Sequence, residues 1–268
     1  MIAYSPNISW LFPELPFEAR LSAVLQAGFE AVEFGFAGQA NMPATQRAHE
    51  EYGMRIALFN QDVPRWDQGH RGLLADPGLK GDFLRSLEAT LDLAQSLEAL
   101  KVMLPVGAVR SGVPRQTQLD CVIDSIRVAA PMAAQARVML TIEALNPRDY
   151  PGYLLTSSRE GFEIVRQVNH PNVRFQFDTY HIRALEGNIA ETLAANMELV
   201  GHIQFGDYPG RVQPGFGELD FGQLDALADR MGYSGYIGLE YIPSTPGASA
   251  LEWVPASRRR LHPRQSNW

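Results

Sequence analysis

The chain alternates between two kinds of segment. Eight short apolar runs, at residues 2–4, 31–36, 55–60, 101–106, 138–144, 173–178, 200–206 and 235–241, are rich in Val, Ile, Phe or Tyr, and several are bounded by Gly, Pro or Asn. That composition predicts strands. Between them lie longer amphipathic stretches, at 17–27, 43–52, 81–100, 116–136, 157–168, 186–197, 221–231 and 247–260. In the clearest, Leu84, Leu87, Leu91, Ala94 and Leu97 recur at spacings of three and four, which is helical periodicity. Ser157 or Thr156 is placed to cap the fifth helix, and Pro171 closes the loop after it.

A strand that feeds a helix cannot return by a hairpin, so repeated units of this kind build a parallel sheet covered by helices. Eight of them in 268 residues predict an α/β fold of the (β/α)8 TIM-barrel type. A doubly wound open sheet shares the alternation, but the turn after the first strand reads SPNISWLF and lacks the glycines such a fold usually carries there. No composition break divides the chain, so one domain is expected over 1–268. A polar, Arg-rich tail at about 255–268 is expected to be a solvated end, with a subunit contact in a homo-oligomer as the other reading.

Composition narrows the function. No apolar run approaches the length of a membrane span. The start, MIAYSPNISWLF, does not read as a signal peptide, and a single cysteine, Cys121, fits a reducing compartment. A cytoplasmic protein is the expectation. With 23 basic and 30 acidic residues the net charge is −7, which argues against nucleic acid or an anionic membrane as partner. Only Lys80 and Lys101 are lysines, one in a Gly-rich turn and one at a strand start. Imine chemistry needs a lysine at the reacting centre, and neither is well placed for it.

Active sites of these barrels lie at the C-terminal ends of the strands. The last residues of strands five to eight are Glu143, Asp178, Gln204 and Glu240, each about one βα unit from the next. Strand alternation gives them one common face, shared with Thr141, Gln176, His202 and Gly238, while Ile142, Phe177, Ile203, Phe205 and Leu239 face the outer helices. Three converging carboxylates repel unless a proton is shared or a cation sits between them. An all-oxygen donor set suits Mg2+ or Mn2+ better than Zn2+. The expected metal ligands are therefore Glu143, Asp178, Gln204 and Glu240, against the plainer reading in which each carboxylate caps a helix or pairs with an arginine. His181, in the loop DTYHIR, could orient substrate or the surroundings of the metal, and His202 reads as a hydrogen-bonded core residue. Glu33 ends the second strand by the same logic, without an evident partner, and reads as structural support. The stretch PGFGELDF is no dinucleotide fingerprint and reads as a flexible loop.

With these residues in place the chain resembles the hydroxypyruvate isomerase family of the xylose isomerase-like TIM barrels, which includes 2-oxo-tetronate isomerases. The resemblance is carried by AGFEAVEF, IEALNPRDYPGYLLTS, FQFDTYHIRALEG, GHIQFGDYPGRVQPGFGELDF and YIGLEYIP. It implies a divalent metal on Glu143, Asp178, Gln204 and Glu240, with Glu143 and Glu240 as proton donor and acceptor. The chain departs from the family after strand five, where Ala144-Leu145 replace Pro-Ile, and after strand seven, which reads Gly206-Asp207-Tyr208-Pro209. Ala108 stands where some members carry Lys. These changes spare the metal and acid/base positions and bear on substrate identity.

The activity implied is interconversion of hydroxypyruvate and tartronate semialdehyde, or the reaction of the related 2-oxo-tetronate, through an enediolate. A small anionic keto acid approaching an acidic protein needs a local cation, and Arg71 and Arg211 are the candidates. A sugar or inositol epimerase on the same barrel is the alternative. An endonuclease IV-like DNA repair enzyme would need several metals, many histidines and a basic face, which this composition does not offer.

Overall fold

The computed structural model describes residues 2–36, 41–64, 66 and 70–260. Its strands are β1 (Ala3–Pro6), β2 (Ala31–Phe34), β3 (Arg55–Asn60), β4 (Lys101–Met103), β5 (Met139–Glu143), β6 (Val173–Asp178), β7 (Val200–Phe205) and β8 (Tyr236–Leu239). The helices are α1 (Phe17–Gln26), α2 (Met42–Tyr52), α3 (Lys80–Ser96), α4 (Arg115–Gln135), α5 (Ser158–Val168), α6 (Thr179–Glu186), α7 (Ile189–Asn196) and α8 (Phe221–Arg230).

The sheet runs β1-β8-β7-β6-β5-β4-β3-β2, and its strand pairs are parallel. Between β1 and β2 the ring is completed by a single parallel bridge, Asn7 to Glu33, where the Ile8 N–H donates to the Glu33 carbonyl at 2.9 Å. The fold is the TIM barrel expected from the alternation. Outward side chains such as Ile142, Phe175, Phe177 and Leu239 pack with the apolar helix faces into one large core. Inside the barrel, at the N-terminal ends of the strands, Ala3, Ala31, Ala57 and Tyr236 form a small cluster of their own. Three alanines leave room for one tyrosine ring, so the interior is a packed layer rather than a pore. Above that layer the interior turns polar.

Two expectations are corrected. The segment DTYHIR is not a loop: β6 runs straight into α6, with Asp178 ending the strand and capping the helix. The helix expected over 186–197 is present as α7, which begins at Ile189 because Glu186 ends α6 and Gly187, at φ +85°, separates the two. The helix expected over 247–260 is replaced by two short 3-10 turns, Gly247–Leu251 and Ala256–Arg258. Pro255 lacks the N–H that a continuing helix would need there.

The solvated tail expected at about 255–268 is also corrected where it is described. Arg258 donates to the Ile2 carbonyl at 2.9 Å and pairs with Asp225, while Arg259 donates to the Ala27 carbonyl at 2.6 Å. These residues are docked across the N-terminal end of the barrel, and 261–268 lie outside the described residues. No helix among the described residues is long and apolar enough to cross a membrane.

Candidate active site

Glu143 and Asp178 end their strands, Gln204 is the penultimate residue of β7, and Glu240 follows β8. Parallel register sets Asp178 beside Gln204, Gln204 beside Gly238 and Glu143 beside Gln176. All four side chains therefore meet at one mouth of the barrel. Gln176 joins them: its Nε2 donates to Glu143 Oε2 at 3.1 Å and to Gln204 Oε1 at 2.8 Å. The Gln204 amide in turn donates to Glu240.

Asp178 divides its two oxygens. Oδ1 accepts the N–H groups of Tyr180 at 2.8 Å and His181 at 3.3 Å, which closes the first turn of α6. Asp at this position is a favoured helix cap, and the helix dipole favours its negative charge. Oδ2 faces the site and pairs with Arg211.

Arg211 is buried among these carboxylates, with its guanidinium also 2.9 Å from Glu240 Oε1. It lies over the rings of Trp10 at 4.7 Å and Tyr180 at 5.2 Å. Arg71 is elsewhere. It lies at the rim, over Trp66 at 4.8 Å and Tyr150 at 5.8 Å, and donates to the Trp66 carbonyl. Both aromatic rings line a cavity of about 420 Å³ that reaches down to Asn7, Trp10 and Glu240.

Glu143, Asp178 and His181 each offer an atom within 4.8 Å of the others, an arrangement that could hold a metal ion. His181 Nδ1, however, accepts the backbone N–H of Asn146 at 3.2 Å. Burial, then the Arg211 charge, keeps this imidazole neutral by lowering its pKa well below the usual value. Its one proton must therefore sit on Nε2, which is 4.0 Å from Asp178 Oδ2. In that state His181 presents a donor to the site, and the oxygens of Glu143, Asp178, Gln204 and Glu240 remain as the donor set for a cation.

That set suits a hard divalent ion. Glu143 Oε1 and Arg211 Nε are buried side-chain atoms without a hydrogen-bond partner among the described residues. An orphaned carboxylate oxygen costs free energy that a cation would recover. Electrostatics agrees in direction. Burial, then the charges of Asp178 and Glu240, raises the Glu143 pKa well above the carboxylate range. Burial lifts Glu240 to about 7 even though Arg211 pulls it down, and lifts Asp178 against the same guanidinium. For Arg211, burial disfavours the charged form, but Glu240 and Asp178 outweigh it and hold the cation.

Several site residues had no clear sequence signal. Asn7 donates to Glu33 Oε1 at 3.1 Å and Glu240 Oε2 at 2.9 Å, so it links β1, β2 and β8. Its place just beyond the first strand was the available clue. Glu33, read as partnerless, is held by Ser5, Asn7, His202 and Gln204. His202 is in the core as expected. The loop read as flexible is tied to a buried carboxylate: Asp207 accepts the N–H groups of Tyr208, Gly215, Gly217 and Leu219 at 2.8–3.1 Å.

Comparison with known proteins follows the same lines. The sequence profile of the xylose isomerase-like TIM barrel family matches residues 21–261. The hydroxypyruvate isomerase of Escherichia coli (strain K12) is 30% identical, over 96% of this chain and 100% of that protein. The 2-oxo-tetronate isomerase of Cupriavidus necator is 32% identical, over 95% and 98%. Among solved structures, one from Brucella melitensis described as an AP endonuclease of family 2 superposes with a TM-score of 0.91 at 30% identity, covering 94% of this chain and 98% of that one. A 3-keto-D-glucoside 4-epimerase from E. coli shares the fold at a TM-score of 0.77 and 21% identity, covering 94% of this chain and 98% of that one.

Proposed function

Since the chain belongs to the xylose isomerase-like TIM barrel family and its full-length relatives are isomerases, we propose that it is a metal-dependent isomerase of short 2-keto acids, interconverting hydroxypyruvate and tartronate semialdehyde or acting on 2-oxo-tetronate. The observation that carries this reading is the pair of partnerless buried atoms, a carboxylate oxygen of Glu143 and the Nε of Arg211, in one ring of carboxylates. One awaits a cation and the other an anion.

Glu143, Asp178, Gln204 and Glu240 would hold Mg2+ or Mn2+. When bound, such an ion draws electron density from adjacent substrate oxygens and favours the enediolate. Isomerisation takes a proton from the CH2OH carbon and returns one to the neighbouring carbon, while the hydroxyl proton moves from one oxygen to the other. Glu143, at the end of β5, and Glu240, just after β8, form the acid/base pair. Carboxyls lifted toward neutrality by burial exchange protons readily at physiological pH. The Nε2–H of His181 supplies a hydrogen bond to a substrate oxygen. Arg211 steadies Asp178 and Glu240 and offers its Nε to the developing charge. Arg71, at the rim of the cavity with its guanidinium against Trp66 and Tyr150, receives the substrate carboxylate.

The test is turnover of hydroxypyruvate and of 2-oxo-tetronate by purified protein, with Mn2+ and with chelator, followed by NMR in D2O. Solvent deuterium on the product carbon, loss of turnover on chelation and a silent Glu240→Gln variant are expected. Turnover of neutral ketohexoses with none of either keto acid would replace this reading by an epimerase.

A further inference from the structure

Below the carboxylate ring, a second set of ionisable groups is buried inside the barrel that proton transfer to substrate does not use. Lys101 Nζ lies 3.1 Å from His202 Nδ1, and His202 Nε2 lies 2.7 Å from Glu33 Oε2. Glu33 and His202 are fully buried, and Lys101 is 2% exposed. Space for the Glu33 carboxylate exists because residue 238 is glycine. A Cβ there would sit 2.2 Å from Glu33 Oε2.

Burying a lysine and a glutamate in this way costs several kcal/mol per ion before their attraction is counted. Apolar side chains would fill the same volume more cheaply. What the ions add is direction. A carboxylate only accepts hydrogen bonds, so whatever amide end faces Glu33 must be the NH2 end. Gln204 Nε2 lies 2.7 Å from Glu33 Oε1 and also donates to Glu240, while its Oε1 accepts from Gln176 Nε2 at 2.8 Å. Without that constraint the two ends of an amide are nearly equivalent in shape, and an NH2 turned upward would repel a cation.

We infer that Glu33 is a positioning residue for the metal site: anchored through His202 by Lys101, it shares the Gln204 NH2 group with Glu240 and so keeps the amide oxygen as the atom free to be offered to an ion. This rests on the proposed reading of Gln204 as a ligand. Glutamine at position 33 would offer a donor as well as an acceptor, leaving Glu240 as the one carboxylate that holds the Gln204 NH2 group.

The experiment is Mn2+ titration of metal-stripped protein by calorimetry, for wild type, Glu33→Gln, Gln204→Ala and the double variant, with circular dichroism as a check on folding. Glu33→Gln is expected to weaken Mn2+ binding by about 10- to 100-fold, the range for lost outer-shell partners. In the Gln204→Ala background the same change is expected to have a much smaller effect, the remainder passing through Asn7, which bonds both Glu33 and Glu240. A purely structural role would weaken binding equally in both backgrounds and overturn the inference, as would wild-type affinity in Glu33→Gln. Absence of Mn2+ binding by wild type would overturn the metal reading and this inference together. Should Glu33→Gln fail to fold because Lys101 is left uncompensated, Glu33→Gln with Lys101→Met removes both charges and carries the same comparison.

Discussion

Asp178 serves structure with one oxygen and the site with the other, and the two roles separate by substitution. Asparagine caps helices about as well as aspartate. Asp178→Asn is therefore expected to keep α6 and the melting temperature nearly unchanged. It removes the charge that Arg211 and a bound ion would share, so keto-acid turnover should fall by at least about 10²-fold, a loss on the scale of removing one electrostatic stabiliser. Steady-state kinetics beside a thermal melt check both halves. The two arginines separate in the same way. Arg211 is enclosed by Asp178 and Glu240, whereas Arg71, among the described residues, lies over the Trp66 and Tyr150 rings and donates to the Trp66 carbonyl. Arg71→Gln should raise KM for the keto acid several-fold with kcat nearly constant, as loss of uniform binding does. Arg211→Gln should lower kcat.

At the scale of elements, the connection from β7 to α8 delivers Arg211 in a conformation that loops rarely supply. Its φ is +56°, in the left-handed region, which costs a non-glycine residue about 1 kcal/mol or more. The surroundings hold it there. Asp207 and Val212 exchange backbone hydrogen bonds at 2.9 and 3.1 Å, and Asp207 gathers four further N–H groups of the same loop. Asp207→Ala would leave part-buried donors without their acceptor, at a cost below the ~1–3 kcal/mol of a fully buried one. The expected outcome is faster proteolytic cleavage between 208 and 219 and reduced kcat, with the barrel's far-UV dichroism retained. Cleavage at the wild-type rate would show that the loop is held by other contacts.

For the whole molecule, the buried polar interior sets a pH dependence of stability. Burial lowers the Lys101 pKa from 10.5 to about 7, with the Glu33 charge pulling it back up. The folded protein thus holds this proton less tightly than the unfolded chain does. The cost of burying the ammonium is present in full below pH 7 and fades as pH rises toward 10.5, so this residue makes stability climb with pH. Measured by urea unfolding, wild type should gain on the order of 2 kcal/mol relative to Lys101→Met between pH 7 and 9. Parallel curves for the two proteins would show that Lys101 titrates as an ordinary amine.

The alternation of strand and helix patterns determined the barrel, and strand ends spaced about one βα unit apart determined that Glu143, Asp178, Gln204 and Glu240 would meet. Local rules suffice for both, because side-chain period and βα unit length are properties of short segments. The bounds of β3 and β6 were legible for the same reason, as was the cap of α5, which falls on Ser157 of the two candidates. Other features depend on which strands become neighbours when the sheet closes. Asn7 meets Glu33 because β1 and β2 complete the ring. Lys101 meets His202, and His202 meets Glu33, across the interior, although 101 and 169 residues separate the partners in sequence. Arg211 enters the carboxylate ring because a loop doubles back through Asp207. Helix α6 stayed hidden because one residue, Asp178, ends a strand and caps a helix with no turn between them. Pattern along a chain specifies which face a side chain occupies; only closure of the barrel decides which partner waits there, and for buried charges the partner decides the chemistry.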